Sequence, residues 1–250
     1  MIHTIRNEKL TCSIDSRGAQ LISLSSSSGT EYIWTGEKDI WPWHAPVLFP
    51  CCGSFPDGFL VDDRIYHLPQ HGFLRNAEHA DLGDGVFLYE SMGEEEYPFA
   101  LSARTSFCLE ESTLIHRLEI ENRDRRPMPY SMGFHTGFLL ENAKLEFECD
   151  EEELGGSIFR ADDSTLEKTC FFTKLKSRRL LCSDAKGKRL ELYSHEFTTL
   201  VLWTMKGHSR DFICIEPRVD TVAEGARHPF KRVLEPGGIC TLEERITILG

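Results

Sequence analysis

Phe99-Ala100-Leu101-Ser102-Ala103-Arg104-Thr105-Ser106-Phe107-Cys108-Leu109 runs through Glu110-Glu111-Ser112 into Thr113-Leu114-Ile115-His116-Arg117-Leu118-Glu119-Ile120. In the first segment Phe99, Leu101, Ala103, Thr105, Phe107 and Leu109 alternate with Ala100, Ser102, Arg104, Ser106 and Cys108. A period of two sends successive side chains to opposite faces of a strand, so this is a half-buried β-strand. The second segment repeats the pattern, with Leu114, His116, Leu118 and Ile120 opposing Ile115, Arg117, Glu119 and Glu121. Glu110-Glu111-Ser112 is the turn between them, and the pair is predicted to be a β-hairpin.

The same reading extends outward to strands over Leu10 to Ile14, Gln20 to Ser25, Val86 to Ser91, Leu145 to Glu148, Arg189 to Tyr193, Thr199 to Thr204, Phe212 to Ile215 and Leu242 to Ile248. Clusters such as Asp81-Leu82-Gly83-Asp84-Gly85 and Glu235-Pro236-Gly237-Gly238 supply turns between them. Many short strands with turn signals predict an all-β fold, a large antiparallel β-sandwich or barrel. A brief helical period near Ser164 to Lys168 is the one expected exception. Ser25-Ser26-Ser27-Ser28-Gly29 reads as a polar turn, and Cys149-Asp150-Glu151-Glu152-Glu153 as a solvated acidic run. No repeat or low-complexity linker divides the 250 residues, so a single domain over 1–250 is expected. Trp41 to Pro69 reads as a long irregular stretch rich in aromatics and proline, a type of loop that often carries function.

The formal net charge of −12 opposes binding to a nucleic-acid backbone or an anionic membrane, which requires excess lysine and arginine. The N-terminal residues lack the apolar core of a signal peptide, and no stretch approaches the roughly 20 apolar residues that span a bilayer, so a cytoplasmic location is expected. Nine cysteines without Cys-x-x-Cys spacing fit reduced, mostly buried thiols in that compartment. No two histidines have metal-ligand spacing on one element, and no metal site is expected. Gly-x-Gly-x-x-Gly, P-loop, His-Glu-x-x-His and Gly-x-Ser-x-Gly motifs are all missing, which removes the usual signals for dinucleotide, nucleotide, zinc-protease or serine-hydrolase chemistry.

Three phrases concentrate reactive side chains: His71-Gly72-Phe73-Leu74-Arg75, Ser131-Met132-Gly133-Phe134-His135, and Phe212-Ile213-Cys214-Ile215-Glu216-Pro217. Glu216 stands out, because a carboxylate closing a buried strand pattern costs free energy unless it is paired or used. His71 and His135, taken alone, also fit structural hydrogen-bonding roles beside tight backbone. His67, His79, His116, His195, His208 and His228 have no flanking pattern and read as surface or packing residues.

Taken in order, these phrases resemble the aldose 1-epimerase (galactose mutarotase-like) family, more closely its short LacX-like branch. The resemblance includes Gly18-Ala19-Gln20-Leu21, Glu31-Tyr32-Ile33-Trp34, Pro46-Val47-Leu48-Phe49-Pro50 with Gly53, Tyr97-Pro98-Phe99 and Ile215-Glu216-Pro217, spread over nearly the whole chain. It implies a galactose mutarotase-like supersandwich binding a small-molecule sugar or sugar phosphate without a cofactor. It further implies Glu216 as general base, His135 as general acid and His71 as a second imidazole near the ring oxygen. Histidine titrates near neutrality, which suits reversible proton transfer. Trp43, Phe73 and Phe138 are expected to form an apolar platform for the sugar ring. Arg75 matches the arginine of a branch acting on hexose 6-phosphates, in which His44 or Arg218 would have to complete a phosphate grip. A carbohydrate-binding protein without turnover is the remaining alternative. The chain departs from the family phrases at Thr136, which replaces a proline, at Ser54, which replaces an arginine, and at Arg218, which replaces a tryptophan.

Overall fold

The computed structural model describes residues 1–220 and 230–249; His228 lies outside the described residues. The hairpin forms as expected. Leu101–Glu110 and Thr113–Asn122 pair antiparallel across a two-residue turn, with Phe107 opposite His116 and Ala103 opposite Ile120. Glu111 takes φ 51° in that turn.

This hairpin sits inside a nine-stranded sheet. Its order is Gly156–Arg160, Lys144–Glu151, Arg179–Ser183, Arg189–Tyr193, Ile239–Ile248, Thr113–Asn122, Leu101–Glu110, Val86–Ser91 and Ala80–Gly83. A second sheet runs in the order Cys170–Phe172, Thr199–Trp203, Ile213–Val219, Met132–Phe134 and Val47–Leu48, with Thr136–Phe138 also on Ile213–Val219. Every strand pairing in both sheets is antiparallel, and together they enclose one apolar core that includes Phe107, Leu118, Phe134, Phe138, Ile213, Ile215 and Ile246. The architecture is an antiparallel β-sandwich. A three-stranded sheet of Ile2–Arg6, Leu10–Asp15 and Gln20–Ser26 adds to this core through Leu10, Cys12 and Ile14.

Two expectations are corrected. Ser164 to Lys168 is turn rather than helix: the Asp162 carboxylate accepts the backbone N–H groups of Ser164 and Thr165, at 2.9 and 2.8 Å, a local bond that competes with helix propagation. Trp41 to Pro69 is less irregular than its composition suggests, because it holds the Val47–Leu48 strand and the Phe59–Val61 strand. The thiols are all free; Cys12, Cys51, Cys52, Cys182 and Cys214 are buried, whereas Cys108 and Cys149 are exposed.

A polar bridge crosses the core between the two sheets. His116 Nδ1 lies 3.0 Å from Glu244 Oε1, both side chains are fully buried, and the Thr136 hydroxyl donates to the same oxygen at 3.3 Å. His116 also stacks on Phe107 at 4.3 Å and packs against Phe134 at 4.2 Å. The bridge therefore ties the hairpin sheet to the segment that carries His135. Removing one partner of such a pair strands the other in an apolar interior, while replacing both with apolar groups removes the desolvation cost as well. His116→Leu is expected to lower unfolding free energy by about 3–5 kcal/mol, and adding Glu244→Leu should recover most of that loss. Urea titration of the two variants checks it; additive losses would show that the pair is not coupled.

Candidate active site

The strand that carries Glu216, Ile213–Val219, is buried on both faces. Ile213, Ile215 and Val219 point into the sandwich core, so the period of two sends Cys214, Glu216 and Arg218 to the opposite face. Its antiparallel neighbours pair Gly133 with Arg218 and Thr136 with Ile215. That register sets His135 directly across from Glu216. The ladder is interrupted there, and the His135 backbone N–H turns to the Pro46 carbonyl at 3.1 Å. His135 Nε2 and Glu216 Oε1 are 3.4 Å apart.

His71 reaches the same place from a loop. Its backbone takes φ 64°, its N–H donates to the Gly53 carbonyl at 2.7 Å, and its Nδ1 accepts the Gly53 N–H at 3.1 Å. Accepting at Nδ1 puts the proton of the neutral ring on Nε2, which is left to donate to a ligand. Gly72 is required next to it: at φ 74° its Cβ position lies 2.1 Å from the Phe49 carbonyl oxygen, so any side chain would break the turn. The His71 and His135 rings meet edge to face at 5.3 Å.

The three groups open into a cavity of about 490 Å³, lined among others by Trp41, Trp43, Ser54, Gln70, Arg75, Thr169, Phe171, Trp203, Met205 and Arg218. This is the size expected of a small-ligand site, and its lining mixes tryptophan rings with many convergent polar groups. Trp41 stacks on His135 at 4.9 Å and on Phe212 at 5.7 Å, and its carbonyl accepts the Trp34 indole N–H at 2.8 Å. Arg75 lies over the Trp43 ring at 4.7 Å and donates to the Gln70 carbonyl at 2.8 Å. The Arg218 guanidinium donates to Glu216 Oε2.

Five of the residues expected from the sequence thus meet in one cavity: Glu216, His135, His71, Arg75 and Trp43. Phe73 and Phe138 do not. Phe138 shares the core-facing parity of Phe134 and Thr136, and Phe73 packs on Tyr89 and Tyr97 at 6.0 and 6.1 Å. The aromatic wall is made instead by Trp41, Trp43 and Trp203, two of them outside the expected set. Trp203 was legible in principle, because it ends a strand pattern; Trp41 faces inward only because Gly137 leaves room, a Cβ there falling 2.8 Å from its ring. His44 is also absent from the cavity lining, its Nδ1 lying 2.8 Å from the Trp34 carbonyl oxygen.

The model of the aldose 1-epimerase family matches residues 1–247. The chain belongs to the aldose 1-epimerase family. The LacX protein encoded on the chromosome of Lactococcus lactis subsp. lactis is 27% identical over 263 residues, covering 85% of this chain and 86% of that protein. A galactose mutarotase related enzyme from Lactobacillus acidophilus has the same fold, with a TM-score of 0.90 at 21% identity, covering 100% of this chain and 98% of that one. A galactose mutarotase-like protein from Lactobacillus casei superposes with a TM-score of 0.88 at 22% identity, covering 99% and 100%. Within this member of the aldose 1-epimerase family, the three departures from the family phrases lie in different places. Thr136 faces the core and bonds Glu244, whereas Ser54 and Arg218 line the cavity.

Burial drives the electrostatics. It pushes the His71 imidazole down to about 2, helped by His135 and by the positive charges of Arg218 and Arg75 and opposed by Glu216. His135 is likewise held well below the ordinary histidine range by burial and then by Arg218 and Arg75. Burial also lowers His79, to about 4. Each such histidine is neutral in the folded protein and protonated in the unfolded chain below about pH 6.5. Stability from these groups is therefore complete above that pH and drains as pH falls below it. Replacing His71 by Asn, which tolerates positive φ and keeps an acceptor for Gly53, should flatten the fall between pH 6.5 and 4.5 by about 1.4 kcal/mol per pH unit. Denaturant titrations at several pH values measure this slope; an unchanged slope would place the His71 proton elsewhere.

Proposed function

We propose that this protein is an aldose 1-epimerase that interconverts the α and β anomers of an aldose by opening and closing its ring. The observation that carries the reading is the pairing of His135 Nε2 with Glu216 Oε1 at 3.4 Å on the floor of a cavity with tryptophan walls. Glu216 takes the proton from the anomeric hydroxyl. As the C1=O bond forms, the bond from C1 to the ring oxygen breaks, and its electron pair goes to the ring oxygen, which takes a proton from His135. The step draws on the protonated form of His135, a minor species in the free protein because burial disfavours it, and for the same reason a strong acid once formed. The Nε2–H of His71 donates to the ring oxygen or a neighbouring hydroxyl and holds the sugar in place. Rotation about C1–C2 then exposes the other carbonyl face, and the reverse transfers close the ring. The protons balance within the pair.

The free cysteines accord with a reducing cytoplasmic location for one sandwich domain spanning the chain. A second reading, a hexose-6-phosphate 1-epimerase, draws support from Arg75 and Arg218, which set two guanidinium groups against one carboxylate in the cavity of a chain whose net charge is −12. Two-dimensional exchange NMR or polarimetry with free and phosphorylated aldoses separates the readings. Glu216→Gln and His135→Asn are each expected to lower the protein-dependent rate by a factor on the order of 10² to 10⁴, and full rates in both variants would defeat the assignment. A preference for phosphorylated hexose that disappears in Arg75→Gln would select the second reading. Saturable sugar binding with no acceleration would mark a binding protein.

A further inference from the structure

Arg218 is a buried cation of the cavity to which the acid-base scheme gives no task. It stands two positions beyond Glu216 on the same face of the strand, only 5% of its surface is exposed, and its guanidinium donates to Glu216 Oε2 while Oε1 faces His135. The fold reserves space for it. Gly133 lies across from Arg218 in the ladder, and a Cβ on Gly133 would fall 2.9 Å from Arg218 Cγ and 3.2 Å from the Cys52 sulfur. A long cation in so buried a position is retained at a desolvation cost that its carboxylate partner offsets.

We propose that Arg218 is a positioning residue of the acid-base pair: it grips one oxygen of Glu216, turns the other toward the sugar and His135, and weakens the hold of the pair on its proton. The proposal rests on the anomerase reading and deepens it. The first effect is geometric, since a carboxylate held at Oε2 cannot rotate away from its acceptor position. The second is Coulombic. Among the described residues, the charged and titratable groups around the pair are Arg218 and the Cys214 thiol on the Glu216 strand, His71 and Arg75 from the facing loop, and the Cys52 thiol beside Gly133. Asp220 acts on Cys52 from the strand end and is bridged to Arg232 at 2.6 Å. Of these groups, Arg218 is the cation in direct contact with the carboxylate.

The productive state carries one proton on the pair, so kcat/KM should fall on the acid side when a second proton binds and on the basic side when the first is lost. In Arg218→Leu both limbs should move to higher pH by about one unit, with kcat down about tenfold or more and KM little changed. Arg218→Lys should leave the limbs in place, because the charge is kept, yet lose rate, because the planar fork is gone. Gly133→Ala, which crowds Arg218 off the carboxylate without removing any charge, should also lower kcat. A rate loss with unmoved limbs in Arg218→Leu, or unchanged kinetics in Arg218→Leu and Gly133→Ala, would overturn the proposal. If the wild-type protein shows no anomerase activity, the functional reading fails separately. Nitrogen-15 titration of His135 then decides for Arg218: protonation at higher pH in Arg218→Leu than in the wild type supports the Coulombic effect, and protonation at the same pH overturns it.

Discussion

The structure depends on one register, the antiparallel pairing that sets Gly133 against Arg218 and Thr136 against Ile215. Because strand side chains alternate with a period of two, this pairing fixes both sides of the sheet at once. Phe134, Thr136 and Phe138 join Ile213 and Ile215 against the hairpin sheet, while His135 and Glu216 meet on the other side. A slip by one residue would bury His135 and Glu216 in the core and expose phenylalanines to the cavity. The same free energy that packs the sandwich therefore aligns His135 with Glu216.

Glycine at alternate positions makes this arrangement possible. Gly133 leaves space for Arg218 and Gly137 for Trp41, so the cavity face of this segment carries a single side chain, His135, between two gaps. The aromatic stack of Phe212, Trp41 and His135 then orients the imidazole from one side, while Glu216 meets it from another. Behind the sheet, Thr136 reaches Glu244 and His116. Imidazoles, carboxylates and a guanidinium are held here in a largely dry environment, which is where proton affinities depart furthest from their values in water. The sheet supplies that environment by fixing His135 and Glu216 on its strands, while His71 sits on a loop pinned by Gly53 and Gly72.

The long alternating segments were legible because their pattern repeats often enough to outweigh chance. Val86–Ser91 and Arg189–Tyr193 match the expected bounds, and the hairpin differs by one or two residues at its ends. Three-residue strands such as Met132–Phe134 and Thr136–Phe138 were not, as three residues cannot establish a period. Glu216 was legible for the opposite reason, a charge that violates an apolar pattern. Glu244 violates its pattern in the same way, lying inward between Leu242 and Ile246, yet it serves the core rather than the cavity. A buried carboxylate in a strand thus marks a place where polar chemistry is compensated, and only its partners tell which kind.

The linear order of residues was enough for the all-β class, the alternation that sorts each strand into two faces, the reactive types at positions 71, 135 and 216, and the family. These are local or cumulative properties, set by periodicity and by the order of short phrases along the chain. The closed fold was needed to settle which phenylalanines are core and which tryptophans are wall, that Thr136 reaches the His116–Glu244 pair across the sandwich, and that Arg218 grips Glu216. Those outcomes depend on cross-strand register and on space left by glycines far away in sequence, and pairwise geometry of that kind is fixed only when the sheets close on one another.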